Sequence, residues 1–251
     1  MAEWVKKEYG DVYTYTHNEK FQVPTYEEFI EFKNLINNDE GWTFNTNTAD
    51  RQVLSRDNGD GSVLQIKMRS MELKDIPHDI LHDVIQDPQF RTEWDDSMKE
   101  EYLVEQVDEN TEIGYYSVKM PMMISNRDWL NIRSWFFDVE NGEYIIMNHS
   151  VQHDKCPPKK GYVRANSLKT GYMVHKTPEG TKISYFAWNA WNGSIPNWCI
   201  NFLTKTLIGN VIESLRKACK KYPEWKAKNY PEEKYWMKEG EVIRKYKEGK
   251  K

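Results

Sequence analysis

Arg91 and Asp95 are the first residues in this sequence whose types and spacing could do chemistry. They stand four apart in a stretch, Gln89 to Ser97, that reads as a short helix after Pro88, so both side chains share one face. A planar guanidinium can hold a phosphodiester through two parallel hydrogen bonds, and a nearby carboxylate can orient it and offset its charge. The same spacing also fits an exposed ion pair worth about 0.3–0.5 kcal/mol with no further role. Arg133 follows Trp129 by four in a strand-like run, so the two point the same way. If that face is buried, Arg133 needs an anion or an acceptor; a solvent-facing Arg fits as well.

The histidines are weaker candidates. His78 and His82 share a helix face, and His149 and His153 share a strand face near Cys156. Neither pair has a third ligand at a recognised spacing. The chain contains no nucleophile elbow, phosphate-binding loop or dinucleotide fingerprint. We therefore expect no enzyme, no resident metal and no cofactor.

These residues need elements to position them. Thr25, with Glu28 three residues on, caps a helix to Asn37 whose apolar face is Phe29, Phe32, Leu35 and Ile36. Strands follow at Trp42–Asn47, Gln52–Arg56 and Ser62–Met71, with Asn58-Gly59-Asp60-Gly61 as a turn. Pro77 opens a helix through Gln86. Long strands come next: Glu101–Val107, Glu112–Met120, Asp128–Val139, Glu143–Gln152, Tyr162–Lys176 and Lys182–Trp191. This pattern is an antiparallel meander rather than an alternating βαβ series. Pro196 to Lys221 reads as the longest helix, with an apolar stripe of Ile200, Leu203, Leu207, Val211, Leu215 and Ala218, ended by Pro223. Residues 1–21 read as an extension, 22–226 as one domain, and 227–251 as a Lys/Glu-rich, partly disordered tail.

Composition narrows the function classes. Of 251 residues, 39% are hydrophobic, 29% charged and 14% aromatic, ten of them Trp; so aromatic a chain folds. Three cysteines are too few for a disulfide framework, and the charged N-terminus lacks a secretory h-region, so a reduced, cytoplasmic compartment is expected. A monomer is expected as well. The net charge of −4 argues against nucleic acid. Residues 1–195 carry 21 Lys+Arg against 32 Asp+Glu, and residues 196–251 carry 14 against 7. The basic C-terminal end suits an anionic partner, or is simply a solvated helix and tail.

Four short motifs bring in a family. Phe90-Arg91-x-x-Trp94-Asp95, Ser125-Asn126-Arg127-Asp128, Ser194-Ile195-Pro196-x-Trp198 and Ala218-Cys219-x-x-Tyr222 occur in the order and spacing of START lipid-transfer domains. Ile113-Gly114-Tyr115-Tyr116, Tyr144 to Asn148 and Lys221 to Lys226 make the chain resemble the phosphatidylcholine-transfer-protein branch. The resemblance spans Gln22 to Lys226.

It implies an α+β helix-grip fold, a curved antiparallel nine-stranded sheet wrapped on a long C-terminal helix that encloses a lipid tunnel. It implies that Arg91, with Asp95, contacts the lipid phosphate. Tyr116 and Trp129 fall on two of three aromatic positions that enclose choline, and the third falls on Leu168, which weakens choline specificity and admits ethanolamine. In sterol-binding relatives the Arg matching Arg133 pairs with an acid on the preceding strand. Here Gly114, Tyr116, Val118 and Met120 hold no acid, so sterol ranks below phospholipid. Tunnel walls fall, with Arg133, on Val118, Met120, Tyr172, Val174, Leu203, Leu207 and Val211. The expected function is binding of one glycerophospholipid, phosphatidylcholine or phosphatidylethanolamine, and its transfer between membranes. The C-terminal helix would then dock transiently and salt-sensitively as a peripheral contact. The alternative is a lipid or sterol sensor acting through a protein partner.

Overall fold

Thr25 opens the first helix as its spacing predicts. Its hydroxyl accepts from the Glu28 backbone N–H, and the Glu28 carboxylate accepts from the Thr25 N–H at 2.8 Å, a complete capping box. Helix α1 is Tyr26–Asn37. At its other end the buried Lys67 ammonium donates to the Asn38 and Ile36 carbonyls and pairs with Asp39 at 2.7 Å. A cation is favourable at a helix C-terminus, which carries partial negative charge. The protein is described here from a computed structural model, which covers residues 21, 23–57, 64–121, 123–138, 141–196, 211–229, 234 and 236.

Among the described residues ten strands form one sheet. They are β1 (Thr43–Asn47), β2 (Arg51–Asp57), β3 (Leu64–Ser70), β4 (Met98–Asp108), β5 (Thr111–Val118), β6 (Asn126–Asp138), β7 (Glu143–Ser150), β8 (Tyr162–Arg164), β9 (Asn166–Lys176) and β10 (Thr181–Ala190). Nine run antiparallel in the order β1-β2-β3-β10-β9-β7-β6-β5-β4, and β8 pairs parallel with β6. The expected meander is therefore interrupted where β10 closes on β3. The expected strand from Tyr162 to Lys176 is two strands that part at Ala165. There Arg164 turns to Asp128, with its Nε and Nη2 each 3.1 Å from a carboxylate oxygen.

Both faces of the sheet are covered, and consecutive residues show it. Leu54, Phe136, Ile145 and Met173 pack under α1 with Phe29, Phe32 and Ile36. Their neighbours Val53, Trp135, Ile146 and Val174 face the opposite way, into the core shared with α2 (His78–Gln86) and α3 (Val211–Lys228). Period-2 side-chain alternation makes this split. Gly171 is what lets α1 approach so closely: a Cβ there would lie 2.7 Å from the Phe32 ring and 2.1 Å from the Ile146 carbonyl oxygen.

Two helix expectations change. Gln89–Ser97 is not a helix but a 3₁₀ turn, Arg91–Glu93, with turns around it. The Asp87 carboxylate accepts from the Gln89 and Phe90 N–H groups and Asp95 accepts from the Ser97 N–H, so side chains compete for the donors a helix would use. The C-terminal helix does not stop at Pro223; it carries Pro223 inside and runs to Lys228. An interior Pro costs a helix about 3 kcal/mol. Contacts on both sides of it outweigh that cost. Phe90 packs on Tyr222 and Trp225, each with ring centroids 5.0 Å apart, and Asp87 accepts from the Tyr222 hydroxyl at 3.0 Å and the buried Lys226 ammonium at 2.9 Å. The expected helix start, Pro196, lies before residues 197–210, which are outside the described set, as are Ile200, Leu203 and Leu207 of the apolar stripe.

Trp236, assigned to the tail by sequence, is buried in the same core, and its indole donates to Asp83 at 2.9 Å. Among the described residues no helix is long and apolar enough to cross a membrane.

Asp87→Ala should lower stability by about 3–5 kcal/mol, because it strands the buried Lys226 ammonium. Tyr222→Phe should cost about 1 kcal/mol. Urea denaturation midpoints check both.

Candidate functional site

The turn after α2 points Arg91 toward the inward face of β4, β5, β9 and β10. Phe90, buried on α3, anchors that turn. The Arg91 Nε and Nη2 donate to one Asp95 oxygen at 3.1 and 3.0 Å, while the other Asp95 oxygen accepts from the Ser97 hydroxyl at 2.5 Å. The guanidinium also lies over the Trp94 ring, 4.5 Å from its centroid. Its Nη1 makes no hydrogen bond among the described residues, and 22% of the side chain remains reachable by solvent although protein surrounds it. This is an interior cation with one edge open.

The electrostatics agree with an enclosed site. Burial by itself would lower the Arg91 pKa, but Tyr172, Asp95 and Glu101 outweigh it and hold the group above its ordinary value. Burial would raise Asp95, but Arg91 and the Ser97 hydrogen bonds hold it below the usual carboxylate value. Burial pushes the Tyr116 and Tyr185 hydroxyls up. Tyr172 and Tyr185 face each other across β9 and β10 with ring centroids 4.8 Å apart. Tyr172 was a sequence candidate and Tyr185 was not. The turn at Pro178–Gly180 pairs them, so the register held the signal.

The region 25–225 matches the START domain. The chain belongs to the START family. It is 37% identical over 221 residues to human START domain-containing protein 10, covering 87% of this chain and 75% of that one. It is 31% identical to bovine phosphatidylcholine transfer protein over 60% of this chain and 71% of that one. A crystal structure of human STARD10 superposes with a TM-score of 0.80 at 36% identity, covering 88% of this chain and 90% of the other. Human StAR-related lipid transfer protein 5 shares the fold with a TM-score of 0.70 at 19% identity, covering 78% and 95%.

The motifs of this START domain have structural reasons. Arg127, buried, donates to the carbonyls of Ser125, Trp191 and Asn192, joining the β5–β6 loop to the segment after β10. Asp128 holds Arg164. Tyr222 reaches Asp87.

The other candidates take the following places. Tyr116 and Trp129 do come together, but as a parallel stack, 5.0 Å between centroids and 3° between planes. A cation cannot enter between faces that close; it could use only an outer face. Trp129 also meets Trp191 in a T-shaped contact, with ring centroids 5.5 Å apart. Leu168 is the extra residue of a bulge between Trp188 and Asn189, buried without a ring partner. Val174 is fully buried in the core. Val118, Met120, Tyr172 and Val211 are partly covered. Leu203 and Leu207 lie outside the described residues.

Arg133 corrects an argument. An acid does stand on the preceding strand: Glu112 is directly opposite and accepts from Arg133 at 3.3 Å. Glu112 lies two residues before Gly114 and so shares its face. Arg133 also donates to the Ile85 and Gln86 carbonyls at the C-terminal end of α2, at 2.9 and 3.3 Å. The ground for ranking sterol lower therefore falls away.

Glu101 was missed. It lies opposite Tyr116 in the β4–β5 register, while Tyr102 and Tyr115 stack on the other face at 4.7 Å, so Glu101 faces inward. Its buried Oε2 accepts no hydrogen bond among the described residues. Burial raises its pKa, against the pull of Arg91 and Arg133. Strict counting from the Asp108–Thr111 turn pairs Glu101 with Val118. Two bulges move the partner to Tyr116 and preserve the face, so parity alone could have found it.

The histidines are packed as structure. Tyr144 stacks on His78 and His82, with centroids 4.6 and 3.9 Å away. His149 is pushed down to about 3 by burial and Lys169, and His153 bonds Glu105 at 2.9 Å.

Asp95 has a lowered folded pKa, so its stabilisation is full above the unfolded carboxyl value and fades as pH falls through the folded one. Asp95→Asn should cost about 1–3 kcal/mol at neutral pH. The difference from the parent should shrink well below the ordinary carboxyl value of 3.8, as read by urea denaturation at the two pH values.

Proposed function

We propose that this START domain carries one glycerophospholipid, phosphatidylcholine or phosphatidylethanolamine, between membranes. One observation carries the reading: an enclosed guanidinium, Arg91, oriented by Asp95, with Nη1 free for a phosphate oxygen. The similarity to phosphatidylcholine transfer protein supports it. Moving a lipid breaks no covalent bond. The protein must replace the bilayer around the acyl chains and water around the headgroup. Val118, Met120, Tyr172 and Val211 would line the acyl path, and Met suits chains of varied shape. Tyr116 and Trp129 would meet the headgroup cation, with Leu168 in place of a third ring.

A two-chain lipid leaves only if the closing helix moves, so α3 is the element that docks on the membrane. Its charges are mostly engaged: Arg216 pairs with Asp75, Lys226 with Asp87 and Lys228 with Glu224. Lys220 and Lys221 are exposed and unpaired among the described residues, and they carry the proposed contact with anionic lipid. In this reading the protein is a cytoplasmic monomer with peripheral membrane contact. A second reading, a lipid or sterol sensor acting through a partner, draws on the Arg133–Glu112 pair, which restores a feature of sterol-binding relatives.

Lipid extracted from the purified protein should contain a diacyl phospholipid by native mass spectrometry; sterol alone would favour the second reading. Arg91→Ala should reduce vesicle-to-vesicle transfer at least tenfold with an unchanged circular dichroism spectrum. Unchanged transfer would remove Arg91 from the phosphate site. Raising salt should slow transfer from anionic vesicles and leave neutral ones unaffected.

A further inference from the structure

We propose that the Glu101 carboxylate receives an N–H-bearing ammonium headgroup, so that this site prefers phosphatidylethanolamine to phosphatidylcholine. The inference rests on the phospholipid reading above and concerns the other end of the headgroup.

The interior charges are unequal. Facing Glu101 are Arg91 and Asp95 from the turn after α2, Glu112 and Tyr116 from β5, and Arg133 from β6. The two guanidinium groups already have carboxylates, Asp95 for Arg91 and Glu112 for Arg133. Glu101 is the third carboxylate, with no cation of its own and a buried oxygen that accepts no hydrogen bond among the described residues. A buried acceptor left unsatisfied costs free energy, and such groups in native proteins call for a reason. A zwitterionic phospholipid offers a group of the right charge to each opening. Its phosphate suits the open edge of Arg91. Its ammonium, one ethylene bridge away, supplies the missing cation.

The type of ammonium then matters. Ethanolamine presents N–H donors, which a carboxylate accepts in charge-assisted hydrogen bonds. Choline has none and depends on aromatic faces. Here the faces of Tyr116 and Trp129 are closed on each other, and Leu168 replaces a ring. The aromatic side of the site is weak while the carboxylate side is intact.

The test loads the full chain from vesicles holding equal phosphatidylcholine and phosphatidylethanolamine and measures the bound ratio by mass spectrometry. The parent should enrich phosphatidylethanolamine. Glu101→Gln should lower the ratio of phosphatidylethanolamine to phosphatidylcholine about tenfold, the weight of one charge-assisted hydrogen bond, while phosphatidylcholine still loads. The parent is also offered N-monomethyl and N,N-dimethyl phosphatidylethanolamine. The largest drop should come at the third methyl, which removes the last N–H; an even decline with size would overturn the proposal without needing a variant. Stability gives a separate readout. The folded pKa of Glu101 is raised, so its ionisation opposes folding above the unfolded carboxyl value. Glu101→Gln should therefore raise the melting temperature of the lipid-free protein at neutral pH, whereas a purely structural Glu101 would make it fall. An unchanged ratio, or equal loss of both lipids, overturns the role of Glu101. A parent that binds neither lipid overturns the phospholipid reading along with it.

Discussion

A carboxylate buried among apolar side chains must find donors, and Asp87 uses that requirement to join three parts of the molecule. It stands at the end of α2, accepts from the backbone of the next turn, and receives Tyr222 and Lys226 of α3. Breaking such a contact would leave Lys226 charged and unpaired in the interior, so the elements it joins hold together. The turn fixed in this way is the one that carries Phe90 and Arg91. The position of the interior guanidinium therefore depends on the packing of the C-terminal helix. Any motion of α3 relative to α2 must also disturb the contacts that hold the turn, so the helix and the Arg91 turn are mechanically linked.

The sheet is built to hold charge on its inner face. Alternation sends Leu54, Phe136, Ile145 and Met173 under α1, which frees the opposite face for a mixed lining. On that face, apolar residues near α3 give way to Glu101, Glu112 and Arg133, and the turn after α2 sets Arg91 and Asp95 against them. Ion pairs formed there persist because little water competes for them. Arg133 shows the economy of the arrangement: one guanidinium neutralises Glu112 and also caps the C-terminal end of α2. Glu101 is the exception, an acid whose buried Oε2 accepts no hydrogen bond among the described residues, and a buried group of this kind calls for a physical reason.

Much of this was legible beforehand. The Thr25–Glu28 cap, the turn residues and the alternating strands are local signals, and they placed α1 and most strands within a few residues. The Arg91–Asp95 pair was found by spacing, and it forms even though the helix that suggested it does not. Pro223 was read as a stop because its cost is local, while the Phe90 and Asp87 contacts that outweigh it come from residues far away in sequence. Glu112 is a local signal too, since alternation puts it on the same face as Gly114 and Tyr116, opposite Arg133. Trp191 lies just past the end of β10, where no alternation rule says what it will meet.

The sequence by itself determined the class of the fold, the faces of the strands and the residue types available to the site, because periodicity and capping act over a few neighbouring residues. The tertiary structure alone decided which charges pair. Asp87 with Lys226, Arg133 with the carbonyls of α2, and the closed stack of Tyr116 on Trp129 depend on where distant segments come to lie. It also decided that Glu101 has no partner among the described residues. A count of acids and bases along a chain cannot show which of them remains unsatisfied, because satisfaction is a matter of ångströms in the folded interior.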